Sequence, residues 1–470
     1  MPLTPTTAPP RRLAVTLALA LALALAGLLA LAGPASAHAD LVSSSPPDGA
    51  VVAGEPGQVT LVFSEAVTLR LSAIKVIGPD GRRVDSGAPR TVGSGAERVT
   101  VDLAADPHRG TFVLDWRATA ADDGHTTSGS LTFSVGAPSR TTVVVGFGAP
   151  DRVTDAVLDL AIWTGLAGLA LLVGCAAIRL HCLPAADAGD LRWPATLGWT
   201  ALFAGTLVQL FAYGPATQGK SLARILDRSL LSATLSTHEG HVLVARIILL
   251  ALVATVGELL LRRRARPGAV AGAAVAAVLA LALAATWSEI SHASSGSLVP
   301  LALVVTTLHV TAMAVWAGGL FTIVVLLTRG SGGADADLGG TTARFSRLAL
   351  GSVAVLAATG LYQAFREVGS FAELTGTSYG RLLLVKAGVF LLVIAVAAVS
   401  RSLVAGARER STAALRRSVL LELAGVTVVL VLTVFLIGSA PAREAHSSTA
   451  TGSGTRALQR VGPVTGDRPW

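Results

Sequence analysis

A histidine at position 38 and the tripeptide Asp123-Gly124-His125 are the groups of this chain whose types and spacing best suit metal chemistry. Position 38 gains its value from what precedes it. Arg11 and Arg12 form a positive n-region, Leu13 to Leu31 an apolar stretch, and Ala35-Ser36-Ala37 a small-residue cleavage site. The apolar stretch could also span a bilayer uncleaved, but Gly33-Pro34 breaks the helix just before the triplet and favours the cut. Cleavage after Ala37 makes His38 the first residue, so that it offers both an α-amine and a ring Nδ1. Residues two apart in extended chain point to one face, so Asp123 and His125 can aim at one point. Amine, two imidazoles and a carboxylate make a set of three nitrogens and one oxygen. In a tetragonal plane that set suits Cu(II), which tops the divalent affinity order. Residues 38–137 hold no Met and no Cys, so the soft ligands of a Cu(I) site are missing there.

The elements that must position these groups divide into two kinds. Residues 1–37 read as a signal peptide and 38–137 as an all-β domain. Gln58 to Phe63 and Arg98 to Leu103 alternate polar and apolar, Thr111 to Ala118 and Ser130 to Val135 add strands, and Gly78-Pro79-Asp80-Gly81 reads as a hairpin turn between Ile77 and Arg83. About seven short strands predict a small antiparallel sandwich or barrel. Residues 138–150 read as a linker.

Residues 151–440 read as an all-α membrane bundle of about eight transmembrane helices, at 155–179, 194–213, 241–261, 268–287, 299–328, 345–366, 381–400 and 417–438. The chain of 470 residues is 52% hydrophobic, which excludes an ordinary soluble protein. The excess of 37 Lys and Arg over 29 Asp and Glu is no nucleic-acid footprint, because it sits in short loops between spans. Arg262, Arg263, Arg264, Arg266, Arg401, Arg408, Arg410, Arg416 and Arg417 fall on one side, and Lys220, Arg224, Arg228, Arg366 and Arg381 on the other. The positive-inside rule then places the β domain outside the cytoplasmic membrane. An even number of spans returns a polar tail, 441–470, to the same side, where it is expected to be disordered. Ser221 to Leu235 reads as one amphipathic surface helix. Cys175 and Cys182 are expected to form neither a disulfide nor a metal pair.

Polar residues inside spans point to function when they face the bundle interior. His309, Met313 and Trp316 lie at i, i+4 and i+7 on one helical face, and an imidazole with a thioether suits Cu(I). His292 joins them as a candidate ligand, with His238 and His241 as further candidates before the third span. Arg246 and Lys386, near span ends, are expected to snorkel.

These strings resemble two families. His38-Ala39-x-Leu41, Ser45-Pro46-x-Asp48-Gly49, Leu61-x-Phe63-Ser64-Glu65, Trp116-Arg117 and Asp123-Gly124-His125-x-x-x-Gly129 resemble the periplasmic copper-binding family CopC. The resemblance implies a Greek-key β-barrel with Cu(II) held by His38, Asp123 and His125. Ser291-His292-Ala293, Leu308-His309, Trp316-x-Gly318-Gly319-Leu320, Thr359-Gly360 and Tyr379-Gly380-x-Leu382-Leu383-x-x-Lys386 resemble the copper-transport membrane family CopD. Together they imply a CopC–CopD fusion that captures Cu(II) outside and imports copper, serving copper homeostasis or resistance. Its partners are the copper ion, the lipid bilayer, and an external reductase or copper chaperone; nucleic acid is not among them. No Walker A or aspartyl-phosphate motif marks an enzyme that burns nucleotide. The alternatives are a haem-type cupric reductase of the membrane, or external copper sequestration with the bundle as anchor.

Overall fold

The computed structural model describes residues 39–93, 95–104, 109–121, 124, 126–139, 151–183, 191–262, 269–291, 293, 298–329, 338–368, 370–406 and 412–437. Eight strands form the N-terminal unit: β1 (Leu41–Ser45), β2 (Ala50–Val52), β3 (Gln58–Phe63), β4 (Ala73–Ile77), β5 (Asp85–Thr91), β6 (Arg98–Leu103), β7 (Gly110–Thr119) and β8 (Thr126–Val135). They make two four-stranded sheets, β1-β3-β6-β5 and β2-β8-β7-β4. All pairs are antiparallel except β2 with β8. Alternation in β3 turns Val59, Leu61 and Phe63 inward, as the period of two requires. They meet Phe112 and Phe133, stacked at 5.1 Å, and Trp116, edge-on to Phe63 at 5.3 Å. Burying each such side chain is worth about 2 kcal/mol, and this core holds the sandwich with no cystine, both cysteines being free in the helical half.

The turn at 78–81 forms as expected, with Gly81 N–H donating to the Gly78 carbonyl at 3.0 Å and Gly78 N–H to that of Arg82 at 2.8 Å. It is not a hairpin within one sheet. Ile77 and Arg83 share only an isolated bridge, and the chain then crosses to the other sheet, where β5 pairs with β6.

The helical unit comprises α1 (Arg152–Ala177), α2 (Arg192–Thr217), α3 (Arg228–Leu235), α4 (His238–Arg262), α5 (Ala269–Ser288), α6 (Val299–Arg329), α7 (Leu338–Val368), α8 (Phe371–Gly376), α9 (Ser378–Gly406) and α10 (Thr412–Ile437). A wide π turn at Ile178–Cys182 extends α1. Among the described residues six helices are long and apolar enough to cross a membrane: Arg152–Cys182, Arg192–Thr217, His238–Gly257, Val299–Thr328, Gly340–Val368 and Ser378–Ala398. Gly272–Ser288 and Leu420–Leu436 are shorter apolar helices. The helices thus fall where all eight expected spans lie, while the criterion of length and hydropathy is met by six. A shared core runs through α1, α6 and α7, with Leu169, Val173, Trp316, Leu320 and Phe345 among its buried members.

The expected amphipathic helix over Ser221–Leu235 is instead two pieces, a 3-10 turn at Leu222–Arg224 and α3. Asp227 divides them, because its carboxylate caps α3 by accepting from the Ser229 N–H at 2.9 Å. Nor does α3 lie apart on the surface, since Leu230, Ala233 and Thr234 are buried.

Asp151 ties the start of α1 to the 3-10 turn that follows α2. Its carboxylate accepts from the Thr154 hydroxyl at 2.9 Å, the Val153 N–H at 3.2 Å and the Leu222 N–H at 3.2 Å. The Thr154 hydroxyl bond, foremost, holds this carboxyl below its ordinary value. A lowered carboxyl contributes stability above its unfolded value and loses it as pH falls through the folded one. The thermal midpoint of the wild type should therefore fall as pH drops from about 5 to about 3, and Asp151→Ala should flatten part of that slope. Equal slopes for the two proteins would refute the assignment.

Candidate metal centre

His38, Asp123, His125 and His292 lie outside the described residues, but the neighbours of the first three are described and meet at one end of the sandwich. Ala39, next to His38, is fully buried, and its carbonyl accepts from the Thr127 hydroxyl at 2.7 Å. Asp40 N–H donates to Ser64 Oγ at 3.0 Å, and Ser64 N–H returns a bond to the Asp40 carbonyl at 2.8 Å. The chain at Ala39 and Asp40 is thereby clamped beside the first residues of β8, two positions beyond His125. Strands β7 and β8 pair without a break from Gly110↔Val135 to Thr119↔Thr126, so the loop carrying Asp123 and His125 closes directly on that ladder. Gly129 stands opposite Trp116, whose ring covers it so closely that a Cβ there would come 2.8 Å from Cζ2. This close approach is the physical reason for glycine four residues past His125.

The same loop rests on the helical unit. Tyr213 of α2 donates its hydroxyl to the Gly124 carbonyl at 3.0 Å. Gln218 Nε2 donates to the Arg70 carbonyl at 3.3 Å, and Leu71 packs with Tyr213 and Ala233. Arg117 of β7 is buried near Asp155 and Gly219, and desolvation pushes its guanidinium below its ordinary value while Asp155 opposes that. Beneath Gly124 lies Glu239 of α4, whose Oε1 accepts from Gln209 Nε2 at 3.1 Å. Gln209 Oε1 accepts in turn from Arg246 Nη1 at 3.4 Å. Arg246 is fully buried, donates through Nε to Thr286 Oγ1 at 2.8 Å and through Nη2 to the Thr286 carbonyl at 3.0 Å, and lies 4.0 Å over the Trp287 ring. The expectation that Arg246 snorkels is therefore corrected: its head group is satisfied inside the bundle, so it has no need of water.

The other expected ligands are spread along the same end. His238 is exposed and faces α5, its Nε2 lying 3.1 Å from the Glu289 carbonyl and 3.6 Å from its carboxylate. His241 is also exposed. Ser288 beside Glu289 shares a 2.9 Å hydroxyl bond with Thr307 of α6, two residues before His309. His309 Nδ1 lies 2.8 Å from Thr359 Oγ1. That hydroxyl has one proton and gives it to the Val355 carbonyl at 2.6 Å, so it accepts from His309. The imidazole then carries its proton on Nδ1 and leaves the Nε2 lone pair for a ligand. Met313 packs against the α1–α6–α7 core, and Trp316 meets Phe390 edge-on at 5.8 Å. Lys386 lies within electrostatic range of His309 and of Glu367, whose carboxylate accepts the Tyr379 hydroxyl. Among the described residues no three His, Cys, Asp or Glu side chains come together as a metal site.

Glu239, Gln209 and Tyr213 were not singled out from the sequence. Their signal is spacing: Gln209 and Tyr213 at i and i+4 on α2, Glu239 and Arg246 at i and i+7 on α4, each pair on one helical face.

Fold and seam together define a membrane protein of two parts, a small β-sandwich seated by polar contacts on one end of an apolar helical bundle. Residues 41–136 match the CopC domain family and residues 339–436 the family of copper resistance protein D, CopD. The chain belongs to these families as a CopC–CopD fusion. It is 27% identical over 410 residues to the copper transport protein CutJ of Bacillus subtilis (strain 168), covering 85% of this chain and 74% of that protein. It is 33% identical over 114 residues to copper resistance protein C of Escherichia coli, covering 23% of this chain and 89% of that protein. Crystal structures of CopC from Methylosinus trichosporium OB3b (26% identity, TM-score 0.20, 23% of this chain and 100% of that one) and of PcoC from Escherichia coli (30%, 0.18, 21% and 98%) are also similar. Copper transport and resistance are thus the business of its relatives on both sides of the seam.

Proposed function

We propose that the chain captures Cu(II) outside the cytoplasmic membrane and imports copper through the helical bundle. His38, through its α-amine and ring, Asp123 and His125 hold the oxidised ion. The observation that carries this reading is the convergence of their described neighbours: Ala39 is bonded to Thr127, and Gly124 is bonded to Tyr213 of the bundle. Capture therefore happens at the mouth of the membrane part and not at the far end of a tether. Tethering keeps the ion's local concentration high there.

Within the bundle, His309 with Met313 and His292 receives the ion as Cu(I), after an external reductase or chaperone has supplied the electron. The lone pair on His309 Nε2 and the contact series Glu289, Ser288, Thr307 toward His309 support this station. Counting 1.5 Å per residue from Val299, it lies about 15 Å along α6, near the midplane of a bilayer roughly 30 Å thick. All eight long helices cross, the basic loops lie inside, and the sandwich and the tail after residue 440 lie outside. His238 and His241 are exposed and serve at most as an outer landing surface.

The test is cellular copper content with and without the protein, alongside His309→Ala. Import predicts less copper on deletion, and at least a tenfold loss of protein-dependent accumulation in the variant. More copper on deletion would overturn import in favour of efflux, and no change would leave sequestration as the reading.

A further inference from the structure

The outer face of the sheet β1-β3-β6-β5 holds a hollow of about 600 Å3. Val59, Leu61, Val99 and Val101 turn into the core, so their alternate neighbours on β3 and β6 turn outward. The registers then align Ser45, Thr60, Thr100 and Arg90 in one rung, and Ser43, Val62 and Arg98 in the next. Among the described residues two arginines line the hollow and no carboxylate does, although Asp and Glu outnumber Lys and Arg over residues 38–139. Arg90 is fixed from the side by Asp102, which accepts from Nη2 at 2.8 Å and also from Nη1. Arg98 is exposed, and its guanidinium has no hydrogen bond or ion pair among the described residues. At the floor the Thr60 and Thr100 hydroxyls lie 3.1 Å apart, and Thr100 is only 2% exposed. One proton serves that bond, so the pair keeps a second with no acceptor among the described residues. Donors therefore converge on the hollow, and what they suit is an acceptor-rich anion.

We propose that this hollow binds a soluble sugar or polyol phosphate, at a site separate from copper capture. The phosphate meets the guanidinium of Arg98, whose planar fork matches two oxyanion oxygens, and the spare Thr60–Thr100 proton supplies a further donor. The hydroxyls of Ser43 and Ser45 both donate and accept, so they serve the hydroxyls of the ligand. Val62 lies between Ser43 and Arg98 on its rung and gives the carbon skeleton an apolar floor. The volume is in the range of small-ligand sites, roughly 300–1,000 Å3. Contacts with the bundle come from β7, from Arg70 and Leu71, and from Gly124. Ser43, Ser45 and Arg98 remain exposed while the sandwich is docked. The proposal uses none of the copper ligands, so it stands or falls apart from the capture reading.

The experiment is isothermal titration calorimetry of the purified full-length protein with glycerol phosphate, under a chelator so that phosphate cannot act through bound copper. A saturable heat is expected, absent with glycerol and weaker by roughly threefold or more with inorganic phosphate, which makes no hydroxyl contacts. Arg98→Gln should weaken binding about tenfold, the size expected when a charge-assisted bond is lost. Thr100→Val keeps the shape of the floor and the strand preference, and should weaken it about fivefold. Arg82→Gln alters an exposed arginine outside the hollow, beside Asp80, and should bind as the wild type does. No heat with glycerol phosphate would overturn the proposal, as would wild-type affinity in Arg98→Gln. An equal loss in Arg82→Gln would also overturn it, by marking a general effect of charge. Inorganic phosphate binding as tightly as glycerol phosphate would overturn the polyol part. Competition by phosphatidylglycerol nanodiscs, but not by phosphatidylcholine ones, would overturn the soluble source in favour of a lipid headgroup.

Discussion

An acetyl group on the α-amine of a chain that begins at His38 should weaken Cu(II) binding by about a thousandfold, within the gain expected when two tethered donors act together. At roughly 1.4 kcal/mol per factor of ten, that loss is about 4 kcal/mol. Acetylation turns the α-amine into an amide, which must lose its proton to ligate and has no neighbouring amine to anchor the metal for that, and leaves the imidazole to bind without its chelating partner. The backbone cannot slide to compensate. Ala39 is fully buried, its carbonyl is held by Thr127, and Asp40 is bonded in both directions to Ser64. The structural effect of the acetyl group is confined to the end that precedes these clamps, so folding should be untouched. Chelator competition on the purified protein gives the affinity, with Asp123→Asn as a comparison that removes one oxygen donor. Unchanged affinity in the acetylated chain would show that the amine is not a ligand, and the capture site would have to be rebuilt without it.

The strands and spans were legible because each rests on a strong local period. Alternation in Gln58–Phe63 and Arg98–Leu103 fixed both strands to the residue, and long apolar runs placed the helices. The crossing of the chain between sheets after Gly81 was not legible, because a turn signal says where a chain reverses and not which sheet receives it. Ser221–Leu235 misled for a related reason: its apolar spacing is helical on both sides of Asp227, and only the capping bond shows that the helix restarts there. The polar seam was misread by residue type. His238 and His241 drew attention as metal-binding side chains, yet the residue between them that faces inward is Glu239. Helices that are apolar around their whole circumference carry no stripe to show which face is buried, so only the packed neighbours reveal it. Arg246 was read from its side-chain length when its fate was decided by partners on two other helices, Gln209 and Thr286.

The contact of α1 with α6 is where a single methyl group should do the most damage. A Cβ on Gly318 would overlap the Ala170 carbonyl oxygen and carbon and stand 3.1 Å from Gly174 Cα. Reciprocally, a Cβ on Gly174 would stand 2.5 Å from Gly318 Cα. The two helices thus meet backbone to backbone, as small residues allow in membranes, where close packing replaces the hydrophobic drive between helices. No rotamer relieves a clash with a carbonyl, so Gly318→Ala must push α6 off α1 and open the packing of Leu169, Val173, Trp316 and Leu320. Overpacking of an ordinary core costs about 1–3 kcal/mol. Here the obstacle is backbone, so the expected loss is about 3 kcal/mol or more, and Gly318→Val should prevent the protein from accumulating in the membrane. Gly351 on α7 supplies the control, because nothing lies within 4 Å of a Cβ built there. Gly351→Ala should be neutral or stabilise by up to about 1 kcal/mol through helix propensity. Thermal unfolding in detergent, together with the amount of protein in the membrane fraction, separates the two. Equal stability of Gly318→Ala and Gly351→Ala would mean that α1 and α6 do not touch in this way, and the core shared by α1, α6 and α7 would lose its central contact.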